Sequence, residues 1–141
     1  ARLGADWGSL DAIVHSVAFA PREALTGAFV EATTRENFAV AHDVSSYSLT
    51  ALAREGLPLM AGRAGAILTL SYLGAVRSIP AYNVMGLAKA CLEANVRFLA
   101  ADLGAKLIGL PENFAFMGPD EERIAGAETV EGPTLSALRV R

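Results

Sequence analysis

Nearly continuous apolar runs alternate with stretches in which apolar residues recur at helical steps. Leu10–Val17 is the first short run, and such a run suits a strand buried on both faces. Phe19–Phe29 contains Pro21 and Gly27 and reads as an irregular loop. Thr33 and Glu36 then match the S/T-x-x-E pattern of a capping box. Apolar residues follow at Phe38, Ala41, Val44, Leu49 and Leu52, predicting a helix over about 34–56 that ends before Gly56 and Pro58. Ala64–Tyr72 is the second apolar run, and Gly74–Ala81 is a loop whose Pro80 prepares the next helix. From Tyr82 to Leu103 the residues Val84, Leu87, Ala88, Cys91, Leu92, Phe98, Leu99 and Leu103 form one predicted stripe, with Gly104 as C-cap. Lys106–Leu110 is a third strand, stopped by Pro111. Short helices are expected at 120–125 and 134–140, in a more polar and irregular C-terminal tail.

The order strand, helix, strand, helix, strand favours a parallel sheet with helices on its faces, an α/β fold. Composition narrows the class. The chain has 141 residues, suited to one ordinary domain, and a net charge of −3, which argues against nucleic acid as a partner. Charged residues make up 19% and hydrophobic ones 52%, so a packed core is expected rather than disorder. Cys91 is the only cysteine, excluding an internal disulfide framework and a Cys-rich zinc site, and no metal site is expected. No apolar stretch reaches the roughly 18 residues of a membrane span, and a cytoplasmic protein is expected.

The most informative spacing is Tyr82-x6-Lys89. Seven residues make almost two helical turns, so both side chains would share a helix face, roughly 10 Å apart along the axis. That is too far for a routine direct bond, but the pair could address two parts of one ligand. A tyrosine hydroxyl can donate to a developing oxyanion, and an ammonium can hold a sugar hydroxyl. The spacing alone is common, and it leaves open a surface lysine beside a helix-start tyrosine.

Its context is more specific. The stretch LTLSYLGAVRSIPAYNVMGLAKACLEANVRFLAADLG, with WGSLDAIVHSVAFAPREAL and TRENFAVAHDVSSYSL upstream, resembles the NADH-dependent enoyl-acyl carrier protein reductases, divergent short-chain dehydrogenases. The resemblance covers about residues 1–106. It implies the central part of a Rossmann-like three-layer fold and NADH-dependent reduction of trans-2-enoyl thioesters in fatty acid biosynthesis. It also implies acyl carrier protein as the bearer of the substrate, and a homo-oligomer. By this resemblance Tyr82 would hydrogen-bond the enolate oxygen, Lys89 would hold the nicotinamide ribose, and Tyr72 would line the acyl pocket. Ser16 and Val17 would run along the cofactor, and Ala18, Phe19 and Ala20 would form the substrate-side turn. The family's glycine-rich pyrophosphate turn has no counterpart before Leu10, and Gly62-x-x-Gly65 precedes a strand, the wrong context for a phosphate cradle. The isolated chain is therefore expected to be inactive alone and to bind NADH weakly or not at all. Apolar residues beyond one stripe, Val96 among them, are expected to promote self-association.

A second likeness starts where the first ends. LGAKLIGLPENF, continued by AFMGPDEERIAGAETVEGPTLSAL, resembles the amino-terminal region of the nitrilase superfamily, and Glu112 matches its general base. The expected organisation is thus a composite: residues 1–106 reductase-like, residues 107–141 a nitrilase-like strand and tail. A carbon–nitrogen hydrolase fragment and a non-catalytic α/β remnant are the alternative functions. His15 and His42 read as structural or surface residues, Cys91 as a small core residue, and Asp120-Glu121-Glu122 as a helix first turn.

Overall fold

The computed structural model describes residues 2–63, 65–103 and 107–111. Helix α1 (Arg2–Trp7), which the apolar pattern does not announce, precedes strand β1 (Ala12–His15). A 3₁₀ turn (Arg22–Leu25) and the short α2 (Phe29–Ala32) interrupt the expected loop. Helix α3 (Arg35–His42), a π-helical turn (Asp43–Tyr47) and α4 (Ser48–Gly56) follow without a break. After a 3₁₀ turn (Leu57–Met60) come β2 (Ala66–Ser71), a further 3₁₀ turn (Leu73–Ala75), α5 (Val84–Leu103) and β3 (Leu107–Pro111). The strands form one parallel sheet in the order β1-β2-β3, with Val14 opposite Leu68 and Leu68 opposite Ile108. The expected parallel α/β architecture is what the chain adopts. Residues 112–141, with Glu112, both tail helices and most of the nitrilase-like segment, lie outside the described residues.

The sheet packs one face against the helices. Ile67 meets Leu49, Ala53, Met60 and Leu92 in the main core, with Ile13, Val96 and Leu99 at its edge. A second cluster joins Ala24, Ala41, Val84, Met85 and Ala88, with Ala20 and Tyr82 packed on it. β1 is not buried on both faces: His15 is buried, whereas Val14, which points the other way, is 63% exposed. The described residues thus supply the sheet and the helical layer on one of its faces. Among them no helix is long and apolar enough to cross a membrane.

Four local expectations are corrected. Thr34, not Thr33, caps α3, its hydroxyl accepting from the Asn37 N–H at 3.2 Å. Thr33 is already used as the C-cap of α2, which delays the helix by one residue. Gly56 does not stop α4 but ends it at a close approach: a Cβ there would overlap Ile13 Cδ1, so the Ile13 side chain would have to turn aside. Phe38 and Leu52 are exposed, and the inward positions are Asn37, Ala41, Ser45, Leu49 and Ala53, a step of four, with Ser46 added beside Ser45. A plain α-helix turns about 100° per residue and would drift off the core at that step, and the wider π turn resets the phase. In α5 the inward arc runs through Val84, Met85, Ala88, Lys89 and Leu92, so Leu87 and Phe98 lie outside it, and Val96 packs on the main core. Cys91, next to Leu87 around the helix, is only partly buried and borders a shallow depression with His42, Tyr47 and Asn95.

Candidate active site

The candidates gather at the carboxyl ends of β1 and β2. Tyr72 follows β2 directly, and its ring meets Tyr82 with centroids 4.8 Å apart and planes tilted by 58°. Tyr82 does not open α5. It sits in the turn before it, between Ala81 and Asn83, both with positive φ (60° and 42°). Two non-glycine residues in the left-handed region are held there at a cost of order 1–3 kcal/mol each, which identifies a position fixed by its surroundings. Gly74 explains the close fit: a Cβ would overlap the Tyr82 ring, lying 2.6 Å from its Cε1. Gly86 in α5 is equally constrained, because its Cβ would stand 2.8 Å from the Gly74 carbonyl oxygen. An open groove of about 400 Å³ runs beside Tyr82, bordered by Phe29, Arg77, Ile79 and Leu87.

Lys89 is not the surface lysine that its spacing allows. It is 3% exposed, and its Nζ donates to the Leu70 carbonyl oxygen at 2.7 Å. One turn further along α5, Glu93 accepts a 2.5 Å hydrogen bond from the Ser71 hydroxyl. Two bonds from one helix face therefore fix the last two residues of β2 just before Tyr72.

Ser16, Val17, Ala18 and Phe19 leave β1 at the same edge and are exposed, while Ala20 turns back onto the second cluster. Phe19 is anchored through its main chain: its N–H donates to Ser45 Oγ at 2.9 Å, and Ser45 Oγ approaches the Phe19 carbonyl at 3.1 Å. His15 is a buried structural histidine, as its sequence context suggests. Nδ1 lies 2.8 Å from Thr69 Oγ1 and Nε2 lies 2.7 Å from Ser48 Oγ. Burial and then the nearby Lys89 cation push its pKa below the usual 6.5. His42 stacks on Phe38 and bonds the Phe38 carbonyl, a local role. Sequence reasoning missed Ser45, Ser48, Thr69, Ser71 and Glu93. The signal of Ser45 and Ser48 is weak, since serines inside a helical pattern read as neutral positions.

Ligands of open parallel α/β sheets bind beyond the carboxyl ends of the strands, where this tyrosine pair, lysine and exposed segment stand. Fold and site together define a Rossmann-like α/β protein. The family model described as enoyl-(acyl carrier protein) reductase matches residues 1–109. The chain belongs to that family. It is 56% identical over 119 residues to the NADH-type enoyl-[acyl-carrier-protein] reductase of Neisseria meningitidis, a match covering 84% of this chain and 45% of that protein. Its identity to the Aquifex aeolicus reductase is 60% over 98 residues, 70% of this chain and 36% of that one. The crystal structure of the Aquifex aeolicus enzyme superposes with a TM-score of 0.73 over 77% of this chain and 43% of that chain, at 55% identity. The Anaplasma phagocytophilum reductase, solved in complex with NAD, gives 0.69 at 47% identity over 75% and 40%. The chain thus spans about half or less of the length of the relatives it matches.

Proposed function

We propose that this chain carries the tyrosine–lysine half of the active site of an NADH-dependent enoyl-acyl carrier protein reductase, acting on trans-2-enoyl thioesters in fatty acid biosynthesis. The observation that carries the reading is the contact of Tyr72 with Tyr82, set against a buried Lys89 at the end of β2. The bound nicotinamide supplies the hydride. Tyr82 then donates a hydrogen bond to the thioester oxygen as negative charge develops on it. The positive charge of Lys89 at the strand ends favours that charge and fits a ribose hydroxyl. Tyr72 flanks Tyr82 and lines the acyl side. Ser16 and Val17 offer exposed main chain to the cofactor, and Ala18, Phe19 and Ala20 form the substrate-side wall.

The same reading covers partners. Acyl carrier protein presents the substrate, and a second copy of the chain packs on the outer faces of α4 and α5. Tyr47, Leu52, Leu87 and Phe98 are exposed there, between 39% and 75%.

A graft tests the assignment. Residues 1–109 replace the aligned segment of the Aquifex aeolicus reductase, and NADH oxidation is followed with a trans-2-enoyl thioester. The graft is expected to turn over. Tyr82→Phe should lower kcat by roughly 10²–10³, the usual loss of an oxyanion donor. Lys89→Ala should raise KM for NADH. A folded graft that is active yet indifferent to both substitutions overturns the site assignment.

A further inference from the structure

We propose that Ser45, in the π turn, and Ser48, directly after it, are positioning residues for residues 15–19: Ser45 holds the main chain of Phe19, and Ser48 holds His15 as its Nε2–H tautomer. The inference rests on the reading that residues 16–20 face cofactor and substrate.

The segment has little else to hold it. Val17 is 44% and Phe19 52% exposed, so apolar burial does not fix its course. Ser45 is fully buried and takes both main-chain polar groups of Phe19, with the Met85 sulfur of α5 at 3.8 Å behind it. Ser45 lies in the π turn and Ser48 directly after it, and such turns recur at functional sites.

The tautomer follows from counting protons. Four contacts surround the ring: Nδ1 to Thr69 Oγ1 at 2.8 Å, Nε2 to Ser48 Oγ at 2.7 Å, Thr69 Oγ1 to the His15 carbonyl at 3.2 Å, and Ser48 Oγ to the Val44 carbonyl at 2.5 Å. A neutral imidazole and two hydroxyls supply one proton each, so one contact goes unmade. With the proton on Nδ1, the sacrificed contact is the shortest, Ser48 to Val44. With the proton on Nε2, it is the longest, Thr69 to His15 O. The geometry therefore selects Nε2–H. An imidazolium would satisfy all four contacts, but burial and the Lys89 cation oppose it. The chain of bonds Val44–Ser48–His15 thereby ties the π turn to the last residue of β1, one residue before the exposed segment begins.

The test uses the 15N-labelled 141-residue chain without cofactor. Two-bond 15N–1H spectra of the imidazole should show Nε2–H for His15 at pH 7. Ser48→Ala should convert it to Nδ1–H, and Ser48→Thr should restore it. Ser45→Ala should speed exchange of the Phe19 amide about tenfold, the scale of one hydrogen bond, with β2 amides unchanged and Ser45→Thr restoring protection. Nδ1–H or imidazolium in the unsubstituted chain overturns the tautomer without any variant being needed. Unchanged Phe19 exchange in a folded Ser45→Ala chain overturns the anchor. Neither readout involves NADH. An inactive graft with these signals intact therefore removes only the functional reading, and an active graft without them removes only this one.

Discussion

Replacing Gly74 with alanine puts the packing around Tyr82 under direct test. The new methyl overlaps Cδ1 of Tyr82 and stands 2.6 Å from Cε1, with Tyr72 Cδ1 a further neighbour at 3.4 Å. Carbon atoms rest at about 3.5–4.0 Å, so the Tyr82 ring has to move by about an ångström. It cannot move toward Tyr72, whose ring centroid is already 4.8 Å away. The open side is the groove bordered by Phe29 and Ile79. Swinging there gives up the aromatic pair, worth about 0.5–1.5 kcal/mol beyond its buried area. Residual crowding brings the cost to about 1–3 kcal/mol, the usual range for overpacking. Urea unfolding of the two chains measures this as a lower midpoint at unchanged slope. Tyr82 ring resonances should shift at the same time. Gly27→Ala is the control: its Cβ meets nothing within 4 Å, and with φ at +76° it costs only the left-handed penalty of about 1–2 kcal/mol, with Tyr82 undisturbed. A Gly74→Ala chain as stable as the parent, with Tyr82 resonances in place, refutes the packing argument.

Four further outcomes are expected. Thr34→Ala should cost about 1 kcal/mol, the value of an N-cap, while Thr33→Val should cost little, because the buried Thr33 hydroxyl has no hydrogen-bond partner to lose; urea midpoints of both decide. Gly86→Ala should destabilise despite a helix-propensity gain of up to about 1 kcal/mol, because the obstacle is the Gly74 main chain rather than a mobile ring; a stabilised variant would show that the loop yields freely. His15 binds its proton less readily folded than unfolded, so stability should hold above pH 6.5 and fall as pH drops through 6.5 toward the lower folded value; a urea midpoint series should show this limb vanish in His15→Gln. The chain should self-associate through α4 and α5, with Leu87→Glu and Phe98→Glu shifting it toward monomer; light scattering that gives a sharp monomer for the unsubstituted chain at high concentration would count against it.

The sheet was legible because its strands are written in apolar runs with nothing else to say. Ile13, Ile67 and Leu107 fall where the runs place them; β1 and β2 are one to two residues shorter at each end than their runs, whereas β3 starts one residue later than its run and takes in Pro111 instead of stopping before it. The first long helix was legible in extent and misread in phase. Its central inward positions are Ser45 and Ser46; a reading that follows apolar residues finds the buried Ala41 and Leu49 but adds the exposed Phe38 and Leu52 and passes over the serines. Polar residues turn inward there because each has a partner: Ser45 has Phe19, and Ser46 has the Asn95 side chain at 2.9 Å. Those partners lie 26 and 49 residues away in sequence, beyond any local window.

The site divides the same way. Tyr72, Tyr82 and Lys89 could be picked out because their residue types and their order along the chain carry chemistry. Their arrangement is tertiary in origin. Tyr82 stands outside α5, so no helical wheel relates it to Lys89, and its direction is set by two left-handed residues and a glycine eight positions earlier. Lys89 is buried because the carbonyl of Leu70 faces its ammonium where β2 ends. Holding a cation there removes water from it, and a desolvated charge acts more strongly on anything bound at the strand ends. The same charge weighs against a second proton on His15. One buried lysine thus bears on both halves of the arrangement: the tyrosine pair just beyond β2 and the histidine at the end of β1.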